Sequence, residues 1–422
     1  MMGSRPSKTQ QSEVKGSRMA KVLKGNAVIG QSGGPTAVIN QSLVGVVEEA
    51  TKHRLIGRLL GARHGVRGII NEDFTDLKKI SKSRLEVLAG TPAAALGSTR
   101  DKPDTEYCER IFEVFEKHNV RYFFYIGGND SADTARIVNE LADHAGYQLR
   151  VFHIPKTVDN DLRVTDHTPG YGSAARFVAS AFMGEDRDNC SLPGIKVSVV
   201  MGRHAGWLTA ASTLGRTSSG AGPHLVYVPE VAFSLPKFAK DVKRVYSRLG
   251  RCLIAVSEGI ADRSGTPIAQ ALAEKMHLSV ERDSHGNVQL SGSGALGDFL
   301  SRYIKESFPR KQKVRVRADT YGYLQRSFAG YASPVDQAEA RKAGRKAVQL
   351  AMSGDMDGSV VLKRAKGKAY RVTYQRAELH QVARDTKHLP RNFINKAGND
   401  ITKAFRTYAM PLVGALPEVV TL

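Results

Sequence analysis

The chain is poor in cysteine, poor in acidic side chains and free of any long apolar run, and each shortage closes off a class of protein. Its three cysteines, Cys108, Cys190 and Cys252, are far apart, odd in number and form no Cys-x-x-Cys pair. That argues against a disulfide framework or a structural zinc site and fits a reducing cytosol. No stretch approaches the roughly 20 consecutive apolar residues that a membrane span needs. No proline-rich linker, low-complexity tract or short-period repeat interrupts the 422 residues. That length exceeds one hydrophobic core and predicts two or three lobes, which poorly marked boundaries suggest exchange strands of chain. The stretch from Met1 to Lys24 is polar and basic with no apolar h-region. It reads as a disordered arm rather than a secretory signal, with an amphipathic transit peptide as the weaker alternative.

The scarcity of acid leaves a net charge of +21. Two readings compete: nucleic-acid binding, or a soluble enzyme whose positive field collects anionic substrates. The basic residues are widely spread, with the N-terminal arm and the tail from Lys363 to Arg406 the most basic parts. No basic run is interleaved with aromatics and no zinc-finger spacing occurs, so a solvated basic surface with a phosphate-collecting region is favoured over a nucleic-acid partner.

Strand-like and helix-like segments alternate from about residue 26. Short apolar runs at Asn26–Gly30, Tyr122–Ile126, Val151–Ile154, Val197–Val200, Leu225–Val228 and Leu253–Val256 read as strands buried on both faces. A helix is expected over Pro35–Lys52, another opening at Ser131, and a long one over Pro334–Met352. Val314–Val316 and Tyr321–Leu324 look like strand ends, and Ser359–Leu362 with Tyr370–Tyr374 a late strand pair. The alternation predicts βαβ units and an α/β fold with mainly parallel sheets flanked by helices. Ligands in such folds sit beyond the carboxyl ends of the strands, and the informative motifs all fall there.

Gly30-Gln-Ser-Gly-Gly-Pro-Thr couples a strand to a helix through a glycine turn. Backbone amides and a helix N-terminus at such a turn can hold an anion, although a purely structural turn looks the same. Gly127-Gly128-Asn129-Asp130-Ser131 repeats the arrangement, with Asn129 and Asp130 at the loop mouth as oxygen donors toward magnesium or its waters. A second capping carboxylate is the plain alternative for Asp130, and Ser131 reads as an N-cap. Pro155-Lys-Thr-Val-Asp-Asn-Asp161 places Lys156 beside two carboxylates, Asp159 and Asp161, spaced by one residue. Phosphoryl transfer to an alcohol needs a base near the hydroxyl and cations near the developing charge, and this segment offers both. Met201-Gly202-Arg203-His204 presents a guanidinium suited to phosphate, with His204 read as structural or exposed. Glu258 in Ser-Glu-Gly could accept from sugar hydroxyls. Arg317 and Tyr323-Leu-Gln-Arg326 add two arginines and a tyrosine, enough to hold a sugar phosphate. Six such loops in one α/β chain point to an anionic, hydroxyl-bearing ligand and a magnesium-dependent phosphotransferase.

In order, SGGP, GGNDS, PKTVDND, MGRHAG, SEG and YLQRS resemble the phosphofructokinase superfamily, over about Asn26 to Met352. The resemblance implies two Rossmann-like lobes: a donor lobe over 25–165, a sugar-phosphate lobe over 166–335, and a C-terminal helix and strands over 336–422 that partly pack back on the first lobe. It implies that Asp159 takes the proton of a sugar 1-hydroxyl with Thr157 and Asp161 in support. Gly33 and Arg100 would lie at the donor phosphate. Met201, Gly202 and Arg203 would line the sugar-phosphate site, Glu258 would bind sugar hydroxyls, and Tyr323 and Arg326 would hold the 6-phosphate. Arg317 would reach the same phosphate, in some members from the neighbouring subunit. Asp130 and Lys156 stand where members that use ATP have glycine. A carboxylate at 130 would repel a nucleotide α-phosphate, and a lysine at 156 would stabilise a departing phosphate, as in the pyrophosphate-using branch. The family's metal-associated aspartate is Asn129 here, so weaker magnesium affinity is expected.

The expected reaction is therefore reversible phosphorylation of fructose 6-phosphate at its 1-hydroxyl by pyrophosphate, in a cytoplasmic homodimer or homotetramer. The alternatives are ATP as donor, sedoheptulose 7-phosphate as a further acceptor, or a non-enzymatic sugar-phosphate sensor or nucleic-acid binder. The intact Asp159, Lys156 and Arg203 argue against a dead enzyme.

Overall fold

Apolar residues on both faces of a strand demand cover from both sides, and that requirement organises the chain. The computed structural model describes residues 23–275, 294–367, 369–383 and 385–420; the expected N-terminal arm lies outside them up to residue 22. Eleven strands occur among the described residues: β1 (Gly25–Gln31), β2 (Ile56–Ala62), β3 (Phe74–Asp76), β4 (Val120–Gly127), β5 (Arg150–Pro155), β6 (Ile195–Val200), β7 (Leu225–Tyr227), β8 (Cys252–Ser257), β9 (Val316–Thr320), β10 (Asp357–Arg364) and β11 (Val372–Ala377).

They form two sheets, ordered β11-β10-β5-β4-β1-β2-β3 and β7-β8-β6-β9. The smaller sheet is parallel throughout. In the larger one only the two edge pairs, β10–β11 and β2–β3, are antiparallel. Alternate residues feed opposite cores, as a two-unit side-chain period requires. Ile29, Phe124 and Phe152 enter one core, while Val28, Phe123 and Tyr125 enter the other. The second sheet divides likewise, Val197, Ile254 and Val256 to one side and Val200, Leu253 and Ala255 to the other.

The last part of the chain returns to the first sheet. The helix Pro334–Ser353 crosses Ile39–Ala50 at Gly45 and Gly344, where a Cβ would come within 2.1 Å of a backbone oxygen of the other helix. β10 then pairs with β5 in parallel. No helix among the described residues is long and apolar enough to cross a membrane.

Several boundaries differ from the sequence expectations; the late strand expected over Tyr370–Tyr374, for one, runs from Val372 to Ala377. The helix expected from Pro35 starts at Ile39, because residues 32–38 stay in the glycine turn, where the Thr36 hydroxyl accepts from Val38 N at 3.3 Å. The helix expected to open at Ser131 starts at Asn129 with Gly128 as its N-cap, so Ser131 lies buried in the first turn and does not cap. Of the two expected strand ends, 314–316 meets β9 only at Val316, and 321–324 lies beyond it, running into a 3-10 turn at Leu324–Arg326.

Candidate active site

The two sheets point their carboxyl ends at one cleft of about 300 Å³. It is lined from β1 by Ser32 to Gly34, from β4 by Gly128 to Ser131, from β5 by Lys156 to Asp159 and Asp161, from β6 by Met201, Arg203 and His204, from β8 by Glu258, and after β9 by Tyr323 and Arg326. Thr99, Arg100 and Asp101 close the side next to Ser32 to Gly34. Every lining residue singled out in the sequence is thus brought together except two. Gly202 lies just behind the wall, where its amide donates to Glu258 Oε1 at 3.1 Å. Arg317 is exposed on the outer strand β9, beside Lys196 and Asp319, and takes no part in the cleft of its own chain.

Lys156 is the central cation. It is 3% exposed, and its ammonium donates to Gly34 O at 2.8 Å. Gly33 makes this approach feasible: its φ is +75°, and a Cβ there would stand 3.1 Å from Lys156 Nζ. Burial, and then the positive charge of Arg326, pull the Lys156 ammonium down to about 7 against the opposing pull of Asp159 and Asp161. Arg326 lies with its guanidinium carbon 4.3 Å from the Tyr323 ring centre, and its buried Nε has no hydrogen-bond partner. Burial and the proximity of Arg100 hold it below the usual guanidinium range. A site in which cations destabilise one another asks for an anion.

The paired carboxylates owe their common direction to Asn160. This residue is fully buried at φ +55°, a left-handed conformation that asparagine tolerates. Its side chain is fixed on the far side, accepting from Thr168 N at 3.0 Å and donating to the Tyr408 hydroxyl at 2.9 Å. Asp159 and Asp161 therefore both face the cleft. The Asp159 amide donates to Thr157 Oγ1 at 3.0 Å. Burial pushes the Asp159 carboxyl up, against the pull of Lys156, Arg326 and Arg203. Asp161 is pushed up by burial and then by the Asp159 charge. Asp159 Oδ1 is buried with no hydrogen-bond partner, so it is able to accept a hydrogen bond or a proton from a group in the cleft.

Asn129 and Asp130 open the helix Asn129–His144, so both sit at its positive end. Asn129 turns its amide nitrogen toward Asp161 Oδ2 at 3.5 Å, which leaves its buried Oδ1 without a partner. That oxygen suits a magnesium ion or a magnesium-bound water. No group of three His, Cys, Asp or Glu that could hold a metal occurs among the described residues, so a metal here would need ligands from the donor phosphates. Asp130 is exposed at the mouth, 3.5 Å from Lys102.

Sequence reasoning passed over Ser32, Thr99, Asp101 and Gln325. Gln325 is buried and accepts from Met201 N at 3.3 Å, bracing the Met201–Arg203 turn. Its place inside Tyr-Leu-Gln-Arg was the available signal. His204 is exposed at the cleft edge.

A family model described as Phosphofructokinase matches residues 26–351. The chain is 55% identical to a pyrophosphate--fructose 6-phosphate 1-phosphotransferase of Rhodospirillum rubrum, over 95% of this chain and 97% of that one. It is 39% identical to the protein of the same name from Halomonas elongata, over 92% and 91% of the two chains. A crystal structure of a pyrophosphate-dependent phosphofructokinase from Marinobacter aquaeolei superposes with a TM-score of 0.81 at 33% identity, covering 93% of this chain and 92% of that chain.

Proposed function

The chain belongs to the phosphofructokinase family, and on that premise we propose that it transfers a phosphoryl group from pyrophosphate to the 1-hydroxyl of fructose 6-phosphate, giving fructose 1,6-bisphosphate and phosphate. The observation that carries the chemistry is the unpartnered Asp159 Oδ1, set in a wall shared with Lys156, Arg203 and Arg326.

Asp159 takes the proton of the attacking hydroxyl. Thr157, which accepts from the Asp159 amide, fixes the base in place, and Asp161 supports it. Lys156 sits where charge builds on the departing phosphate and balances it. Arg100 and the amides around Gly33 hold the distal end of pyrophosphate. Arg203, Tyr323 and Arg326 hold the 6-phosphate, Met201 and Gly202 shape that side of the cleft, and Glu258 accepts from sugar hydroxyls. Magnesium fits beside Asn129 Oδ1, and when bound it would neutralise charge on the donor phosphates.

Asp130 supports pyrophosphate over ATP. It sits exposed in the first helical turn at the donor mouth, where a nucleotide would bring a third phosphate against a carboxylate. The three cysteines are free thiols, which suits work in the cytoplasm. Arg317, displaced from its own cleft, suits a homodimer or homotetramer in which it reaches a neighbour's sugar phosphate.

Bisphosphate formation from fructose 6-phosphate and magnesium, with pyrophosphate or ATP as donor, tests this reading. Turnover with pyrophosphate and none with ATP is expected, and Asp130→Gly should admit ATP. Turnover with ATP alone would overturn the donor assignment and leave the role of Asp159 standing.

A further inference from the structure

The basic tail after Lys363 has no place in the chemistry above, yet part of it runs along the back of the cleft. Asp385 pairs with Arg163, and Thr386 bridges Leu162 in antiparallel fashion. Lys387 donates its amide to Asp161 O at 2.7 Å. Its carbonyl accepts from the Trp207 indole at 3.0 Å. Its ammonium donates to Asp166 O at 2.9 Å and Thr165 O at 3.2 Å, and lies 5.1 Å from the Trp207 ring centre. His388 donates through Nδ1 to His204 O at 2.9 Å. Leu389 donates to Glu230 Oε1 at 2.8 Å, and Glu230 also accepts from Gly206 N at 2.9 Å.

Five consecutive residues therefore engage residues 161–163 of the loop that carries the base on one side, and residues 204–207 of the loop that carries Arg203 on the other. These loops leave strands of different sheets, β5 and β6. The two sheets share no strand pairing; Val158 and Tyr171 pack in one core with Met201 and Trp207, and these five residues add hydrogen bonds to both loops.

We infer that Asp385–Leu389 is a strap that sets the distance between the base and the sugar-phosphate site, with Lys387 the positioning residue for Asp159 and Asp161. A shared apolar core holds the loops together but is non-directional, and in-line transfer demands that acceptor oxygen and base keep a fixed separation, which directional hydrogen bonds to both loops can set. The inference rests on the reading of Asp159 as base.

The test compares the parent chain with Lys387→Met, Lys387→Arg and His388→Ala. The parent's turnover is measured first, so a failure of the assigned reaction is seen before any variant is compared, and variants are then assayed with whichever donor the parent uses. Lys387→Met should lower kcat about tenfold or more while the KM for the donor moves less than about twofold. Lys387→Arg should recover most of the loss, since a guanidinium reaches the same carbonyls and keeps the charge. His388 is exposed, so His388→Ala should fold normally. Its expected effect is a roughly fivefold weaker affinity for fructose 6-phosphate, read by calorimetry without any donor. The chain has a single tryptophan, so near-ultraviolet circular dichroism reports whether Trp207 keeps its seat. Parent-like kcat in a folded Lys387→Met overturns the inference. So does unchanged sugar-phosphate affinity in His388→Ala, including where Lys387→Met does not fold.

Discussion

Asn129 stands beside a wall that already holds two carboxylates. A third carboxylate there would face Asp161, which Asn129 now meets with an amide hydrogen 3.5 Å away across the heavy atoms. The neutral side chain relieves that crowding, and under the proposed function it offers magnesium an uncharged oxygen in place of a carboxylate. Asn129→Asp should lower the magnesium concentration for half-maximal activity by roughly three- to tenfold. A magnesium titration of initial rate checks this, and an unchanged or raised requirement would refute it. Lys156 gives a second residue-level prediction. Its ammonium titrates near 7 in the folded chain and near 10.5 unfolded. Between those values the unfolded chain holds a proton the folded chain lacks, so stability rises with pH across that window. Below pH 7 both states are charged and the full strain of burial is present. Lys156→Met should therefore raise Tm by a few degrees near pH 6 and by progressively less toward pH 10, while lowering kcat roughly 10²–10³-fold. Thermal melts at several pH values, with kcat beside them, check both halves. The Asp-Asn-Asp spacing made the acid pair legible in the sequence, because a single residue between them allows both to face one way. That the intervening asparagine must be left-handed to do so was not legible, since it depends on Thr168 and Tyr408.

Elements from opposite ends of the chain meet under the Gly127–Gly128 turn. His153 on β5 is fully buried, with Nε2 2.9 Å from Gly127 O and Nδ1 2.8 Å from the Ser359 hydroxyl on β10. A carbonyl can only accept, so Nε2 carries the hydrogen and Nδ1 accepts from Ser359. Burial holds the ring neutral, down to about 4. Ser359→Ala should leave a buried ring nitrogen unpaired and cost about 1–3 kcal/mol of unfolding free energy, measured by urea denaturation; a loss below the error of that measurement would sink the argument. Strands β1, β4, β5, β6, β7 and β8 could be read from the sequence because burial on both faces makes them near-continuous apolar runs. β2 and β3 could not. Gly57 and Gly61 interrupt the β2 pattern, and the structure uses them to admit Asn26 and the side chains of Leu96 and Leu77. Helix starts were misplaced in opposite directions: the glycine turn after β1 holds the backbone past Pro35 and delays the helix to Ile39, whereas the helix near Ser131 begins two residues early at Asn129, with Gly128 as its N-cap.

At the scale of the molecule, the net charge of +21 is only partly spent in the cleft. Lys156, Arg100, Arg203 and Arg326 line it, but Arg317 stands on the outer edge of the second sheet with Arg315 and Lys196. The sequence motif groups Arg317 with the residues expected at the sugar phosphate, but the structure sets it outside its own cleft, and direction across a sheet edge is a property of assembly. If Arg317 serves the neighbour's cleft, lesions in different chains must complement. Asp159→Asn should lower kcat by about 10²–10⁴-fold through loss of the base, and Arg317→Ala should weaken fructose 6-phosphate binding through loss of a phosphate contact. In a mixed assembly, the chain that keeps Asp159 receives its arginine from the chain that keeps Arg317, so one cleft is whole and the other carries both lesions. Mixing the two variants under conditions that allow subunit exchange should thus restore activity at low fructose 6-phosphate that neither has alone. An arginine acting within its own chain predicts no gain, because every cleft in every mixture would then keep one lesion.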